Sequence, residues 1–186
     1  VPKGVVGMIS PWNYPLTLPI SDAIPALLAG NGVVLKPDHQ TPFSALCALK
    51  LLVEAGLPRD LFQVVIGDGP TVGSAIIDNA DFVMFTGSTA TGKLVAGKAA
   101  ARLIGFSAEL GGKNPMIVLE DAPLGRAVQG AINASFSNAG QLCMSIERLY
   151  VHEAIYDTFV PRFVDAVKGL SIGIGRDFSA KIGSLI

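Results

Sequence analysis

Charge is scarce in this 186-residue chain: 16% of its residues are Asp, Glu, Lys or Arg, while 50% are hydrophobic. A free-standing globular domain carries about a quarter charged residues. The shortage leaves two readings, a membrane protein or a chain that buries surface against something further. Long apolar runs are missing too. The most apolar stretches are cut by Asp22, Pro25, Gly30 and Lys36, short of the roughly 20 residues a spanning helix needs. We therefore expect no membrane partner. There is no dense Lys/Arg stripe, and the formal net charge is −1, so nucleic acid is not an expected partner either. Two cysteines, Cys47 and Cys143, and two histidines, His39 and His152, are scattered too widely for a disulfide framework or a metal-ligand spacing. No metal is expected, and a reducing, cytoplasmic compartment is the default. No basic segment followed by an apolar stretch opens the chain, so no secretory signal is visible in it. The sequence opens at Val1-Pro2 and closes on Lys181 to Ile186 without a polar tail. We expect it to be the middle of a longer protein, inactive and poorly soluble when isolated.

What the chain does have is alternation. Short β-branched runs are expected as strands at Val5–Ile9, Gly32–Leu35, Phe62–Ile66 and Phe82–Phe85. Helical patterns separate them at Leu18–Leu28, Pro42–Glu54, Thr71–Ile77 and Gly92–Arg102. Such an order predicts an α/β fold with a mostly parallel sheet covered by helices. Continuously apolar strands suggest burial on both faces. Gly30, Gly56 and Gly69 suit turns and helix ends. A second α/β region follows, with strands at Met116–Leu119 and Leu149–Val151 and helices at Leu124–Asn138 and Ile155–Val167. We place the boundary near Leu110, giving units 1–110 and 111–186.

Three polar residues stand out for chemistry. Cys143, in Asn138-Ala139-Gly140-Gln141-Leu142-Cys143, follows a helical pattern in a polar, glycine-bearing approach. A thiolate there is a candidate nucleophile; a buried structural cysteine is the bland alternative. Cys47, within Ser44 to Leu49, reads as core packing. Glu109 ends a short strand, directly before Gly111-Gly112 after Leu110, and suits a general base; the alternative is a surface carboxylate at a turn. Asn13, pinned between Pro11 and Pro15, offers an amide that can stabilise an oxyanion, or simply an Asx turn.

Nucleotide binding is suggested by Phe85-Thr86-Gly87-Ser88-Thr89-Ala90-Thr91-Gly92-Lys93. It joins a strand to a helix, where backbone N–H groups favour an anion such as a diphosphate. It is neither the usual dinucleotide fingerprint nor a Walker loop, because Leu94 follows Lys93. Lys36, before Pro37, ends a strand where open α/β sheets bind ligands. The alternative is a solvated strand-end lysine.

In this order, the motifs resemble those of the aldehyde dehydrogenase superfamily: Val5-Val6-Gly7 with Pro11 to Pro15, Lys36-Pro37, Gly87-Ser88-Thr89 with Gly92, Glu109 to Lys113, and Gly140 to Cys143. More narrowly, Ala90-Thr91-Gly92, Leu103 to Ser107 and Ser145 to Arg148 resemble the succinate-semialdehyde dehydrogenases of actinobacteria. The resemblance implies an aldehyde dehydrogenase-like fold, with a Rossmann-like parallel-sheet cofactor-binding region at 1–110 and the first part of an α/β catalytic region at 111–186. It implies NADP or NAD as cofactor, with Lys36, Gly87, Ser88 and Gly92 holding it, Trp12 lining its approach and His39 beside the adenine ribose. It implies Cys143 as nucleophile, Asn13 as oxyanion donor and Glu109 as the base that activates water. The substrate would be a small aldehyde, succinate semialdehyde first, with a broad-range aldehyde dehydrogenase as the alternative, and the longer protein a homodimer or homotetramer.

Three departures bear on specificity. His39 stands where relatives that prefer NAD often carry a glutamate, which would repel a 2′-phosphate. Ser21 and Ser137 stand where familiar succinate-semialdehyde enzymes carry arginines for the substrate carboxylate. Two rivals are a non-catalytic relative of the same fold and a cysteine hydrolase without a redox cofactor. Neither histidine falls in a recognisable pairing with a cysteine, and the hydrolase reading leaves the Gly87 loop without a role.

Overall fold

β-Branched and aliphatic residues at Val5, Val6, Val33, Val34 and Leu35 favour extended backbone, and the first strands form there. A computed structural model describes residues 1–177 and 179–186. The chain divides into two compact units, Val1–Leu110 and Gly111–Ile186.

The first unit contains β1 (Val5–Ile9), α1 (Thr17–Leu28), β2 (Gly32–Lys36), α2 (Pro42–Glu54), β3 (Phe62–Val64), α3 (Ser74–Asn79), β4 (Phe82–Thr86), α4 (Thr89–Ala101) and β5 (Gly105–Glu109). The strands form one parallel sheet in the order β3-β2-β1-β4-β5. Parallel neighbours require crossover connections, and the helices supply them. The chain steps outward from β1 to β3, then returns to lay β4 on the other side of β1. The order therefore reverses between β1 and β4.

Each face of this sheet has its own core. Val6, Met8, Val33, Leu35 and Phe62 pack with Ala23 of α1 and Ala45 of α2. Val83 and Phe85 pack with Ile77, Ala80 and Val95 on the other face. Burying each large side chain contributes about 1.5–3 kcal/mol. Gly7 lets α3 lie directly on β1, because a Cβ there would stand 2.5 Å from Ile76 Cγ2.

Several sequence expectations need correction. Gly30 (φ +86°) and Gly56 (φ +102°) do end helices in left-handed turns, with Asn31 N–H donating to Ala26 O and Leu57 N–H to Leu52 O. Gly69 also lies in a turn, of π type, over Gly69–Gly73, capped by Asp68 accepting from Thr71 N–H at 2.6 Å. The fourth helix starts at Thr89, three residues before Gly92, because Ser88 caps it. Cys47 does not pack in the core. It is exposed, because α2 turns Ala45 and Ala48 inward instead. Nor is every strand buried on both faces, since Gln63 of the third strand is exposed; that strand stops at Val64, so Val65 and Ile66, expected in it, lie beyond it and are exposed.

The second unit contains β6 (Asn114–Val118), α5 (Leu124–Phe136), β7 (Ile146–Val151) and α6 (Glu153–Lys168). β6 and β7 pair in parallel. Val118, Ala127, Ala131 and Phe159 form the core. Phe163 stacks on Phe159 with ring centroids 5.9 Å apart. Alternate residues of both strands face outward; Ile117 and Tyr150 are exposed. The fifth helix stops at Phe136, two residues before the expected end, and a kinked turn follows.

Candidate functional site

Register places the strand ends of the first unit in line: Ile9 pairs with Lys36 and with Phe85, and Thr86 pairs with Glu109. The carboxyl edge of the sheet therefore presents the loop after β1, with half-buried Trp12 and Asn13, together with Lys36, the Gly87-Ser88 turn and Glu109. Ligands of open α/β sheets bind at such an edge, where the strand order reverses.

Lys36 is not a solvated lysine. It is 5% exposed, and its Nζ donates to Pro37 O at 2.9 Å. Burial pushes its pKa down, opposed by the carboxylates of Asp38 and Asp68. His39 is exposed, with Nδ1 3.5 Å from Asp38 Oδ1.

Gly87 N–H donates to Glu109 O at 3.0 Å, and a Cβ at Gly87 would press to 2.7 Å from Phe85 Cζ. Ser88 Oγ accepts from Thr91 N–H at 3.2 Å and donates to Thr91 Oγ1 at 3.0 Å. The first turn of α4 has no acidic residue, so its N–H groups and positive dipole end suit an anion. Gly92 is buried because a Cβ would meet Leu110 Cδ2 at 2.6 Å. Glycine at 92 thus lets α4 lie close to the segment that carries Glu109.

Two further groups mark this edge. Ser10 follows β1 and Thr86 ends β4; they are 6% and 8% exposed, and neither side-chain hydroxyl has a hydrogen-bond partner among the described residues. Buried polar groups are normally paired. Two orphaned hydroxyls on neighbouring strand ends fit a polar ligand there. Beside them opens a crevice of about 470 Å³ between α3 and α4, walled by Ile9, Pro70, Ile77, Phe85, Leu94 and Val95. Glu109 is exposed. The half-buried carboxyl of Asp22 lies within its electrostatic reach and is held above the usual range, first by burial.

In the second unit, exposed Cys143 follows a short turn over Ser137–Gly140. Asn138 (φ 50°), Ala139 (φ 57°) and Gly140 (φ 77°) are all left-handed. That conformation costs about 1–2 kcal/mol for an ordinary L-residue, so Ala139 is strained. Surrounding bonds hold the run. Gln141 Nε2 donates to Asn138 O at 3.0 Å, and Ser145 Oγ donates to Ser135 O at 3.3 Å. Asn114 Nδ2 donates to the carbonyls of Cys143, at 2.6 Å, and Ser145, at 3.1 Å. The thiol is thus presented on a pinned loop.

Ser21 Oγ donates to Leu18 O at 3.3 Å, and Ser137 Oγ donates to Asn133 O. Each hydroxyl turns back onto its own chain. Sequence reasoning passed over Ser10, Thr86 and Asn114. The first two could have been flagged by their place directly at strand ends, whereas nothing local marks Asn114. Among the described residues, no group of three His, Cys, Asp or Glu could hold a metal, and no helix is long and apolar enough to cross a membrane.

Comparison with known proteins covers the whole chain. The sequence profile of the aldehyde dehydrogenase family matches residues 1–186. A candidate NADP(+) succinate-semialdehyde dehydrogenase of Mycolicibacterium smegmatis is 61% identical over 185 residues, all of this chain and 36% of that protein. The chain thus spans little more than a third of that relative's length. A crystal structure of an NADP-dependent enzyme of E. coli superposes with a TM-score of 0.96 at 43% identity, covering 100% of this chain and 39% of that one. The betaine aldehyde dehydrogenase of Staphylococcus aureus, solved with NAD+, gives 0.93 at 37% identity, covering 100% and 37%.

Proposed function

The chain belongs to the aldehyde dehydrogenase family, and on that premise we propose that it carries the cofactor cradle and the nucleophile of an NAD(P)-dependent aldehyde oxidation. The observation that carries this reading is the carboxyl edge at the β1–β4 reversal. It combines buried Lys36, two orphaned hydroxyls and the uncharged first turn of α4.

Those residues fit a nicotinamide dinucleotide. Ser88, Gly87 and the start of α4 would hold its diphosphate, with Gly92 keeping the helix close. Lys36 would hold the adenine ribose, with His39 beside it, and Trp12 would line the approach. The crevice between α3 and α4 has the size and apolar lining of a small-molecule pocket and would take the adenine. When bound, the dinucleotide supplies the acceptor for the aldehyde hydride.

The chain's own residues do the rest. Cys143, as thiolate, attacks the aldehyde carbonyl carbon. The Asn13 amide and the Cys143 backbone N–H donate to the oxygen as it gains negative charge. After hydride departure the acyl group is a thioester of Cys143. Glu109 takes a proton from water, the hydroxide adds to the thioester carbon, and the C–S bond breaks. The carboxylic acid leaves and the thiolate returns.

Succinate semialdehyde is the substrate we assign first, supported by the 61% identity to a relative named for it. A second reading, oxidation of a broad range of aldehydes, is favoured by Ser21 and Ser137, whose hydroxyls serve their own helices. Steady-state oxidation of an aldehyde panel by the protein at its full natural length, with NAD and NADP in turn, tests the proposal. Absence of cofactor reduction with every aldehyde refutes it and leaves a non-catalytic binding role.

A further inference from the structure

The crevice between α3 and α4 is apolar along its walls and polar at two places. One is the first turn of α4, where Thr91 accepts from Ser88. The other lies two turns further along α4, where Lys98 Nζ donates to Ser74 Oγ at 2.8 Å. Thr91 and Lys98 are seven residues apart, so they share a helix face about 10 Å from each other along the axis. Among the described residues, Lys98 is the single charged one lining the crevice, and no carboxylate pairs with it.

We infer that Lys98 and Ser74 form a base-reading pair that determines how tightly the crevice holds the adenine end of the dinucleotide. This rests on the cofactor placement proposed above. An ammonium has three donors and Ser74 occupies one. A second is free for a ring nitrogen of adenine, which is an acceptor. The Ser74 hydroxyl oxygen retains a lone pair for the exocyclic amine, which is a donor. A diphosphate at the start of α4 directs the adenosine along the face that ends at this pair.

The test is calorimetric titration of the protein at its full natural length with NAD, NADP and nicotinamide mononucleotide. Lys98→Met keeps the apolar stem and removes the donors; Ser74→Ala removes the acceptor. Lys98→Met is expected to raise Kd about tenfold for NAD and NADP alike, the loss expected of one charge-assisted hydrogen bond. Ser74→Ala raises both by a smaller factor, Lys98→Arg restores most of the affinity, and binding of the mononucleotide is unchanged. Unaltered dinucleotide Kd values in Lys98→Met overturn the inference while leaving the cofactor reading intact. A loss confined to NADP also overturns it, because Lys98 would then be reading the 2′-phosphate. Wild-type protein that binds neither dinucleotide overturns both.

Discussion

Asn114 offers a sharp test of how the nucleophile is presented. Its side-chain nitrogen donates to the carbonyls of Cys143 and Ser145 and bridges β6 to the chain on either side of Met144. Asn114→Ala removes two hydrogen bonds, each contributing about 0.5–1.5 kcal/mol net, so about 1–3 kcal/mol of local stability is lost. The strained left-handed run over Asn138 and Ala139 then has less to hold it. Misplacement of a reacting group by about 1 Å costs about a hundredfold in rate, so turnover should fall between about ten- and a hundredfold, with the urea midpoint shifted modestly. Asn114→Asp is the discriminating variant. It nearly preserves shape but points carboxylate oxygens at two carbonyl oxygens, and it should be worse than alanine in turnover and stability. Turnover of the protein at its full natural length and its urea denaturation are the assays. Activity in Asn114→Asp equal to or above that of Asn114→Ala would refute the pinning argument.

Other outcomes follow from the same geometry. Cys143→Ser should abolish acyl-enzyme formation and turnover while Cys47→Ser leaves most activity, checked by mass spectrometry of the trapped intermediate; turnover surviving in Cys143→Ser refutes the nucleophile assignment. With His39 in place of a carboxylate, kcat/KM for NADP should be at least comparable to that for NAD; more than a tenfold preference for NAD counts against this. Succinate semialdehyde should exceed butanal in kcat/KM; parity or reversal removes the substrate assignment and leaves the family assignment standing. The raised pKa of Asp22 means the folded protein binds that proton more tightly than the unfolded chain. Stability from this group is therefore full below the ordinary aspartate value and is lost as pH rises through the raised one; Asp22→Asn should flatten that slope in denaturation curves across the acid range. Leu103, exposed and left-handed at φ 57° just after α4, should gain about 0.5–1 kcal/mol on replacement by Gly, since relief of strain exceeds the added chain entropy.

The alternation of strands and helices was legible because both faces of β1, β2 and β4 needed apolar residues, and β-branched runs between helical periods announce that. The fourth helix starts three residues before the expected Gly92 because the Ser88 cap sets its first turn, and glycine is needed inside it because Leu110 crowds the spot where a Cβ would be. Cys47 departs from the core placement expected for it because the inward face of α2 is set by Ala45 and Ala48. The left-handed turn at Asn138-Ala139 could not be read, because alanine carries no preference for that backbone and the bonds that pin the loop include those from Asn114, far back in the chain. Lys98 and Ser74 are 24 residues apart, and no local pattern links them.

The exposure of both cysteines gives the molecule an internal reference. A single alkylating reagent meets Cys47 on an ordinary helix surface and Cys143 on a pinned loop, in the same tube and at the same concentration. At a fixed pH the ratio of the two labelling rates cancels protein concentration and reagent decay. It reports only what the surroundings of Cys143 do to its thiol. Any ligand or substitution can thus be ranked by that ratio before an aldehyde is ever added.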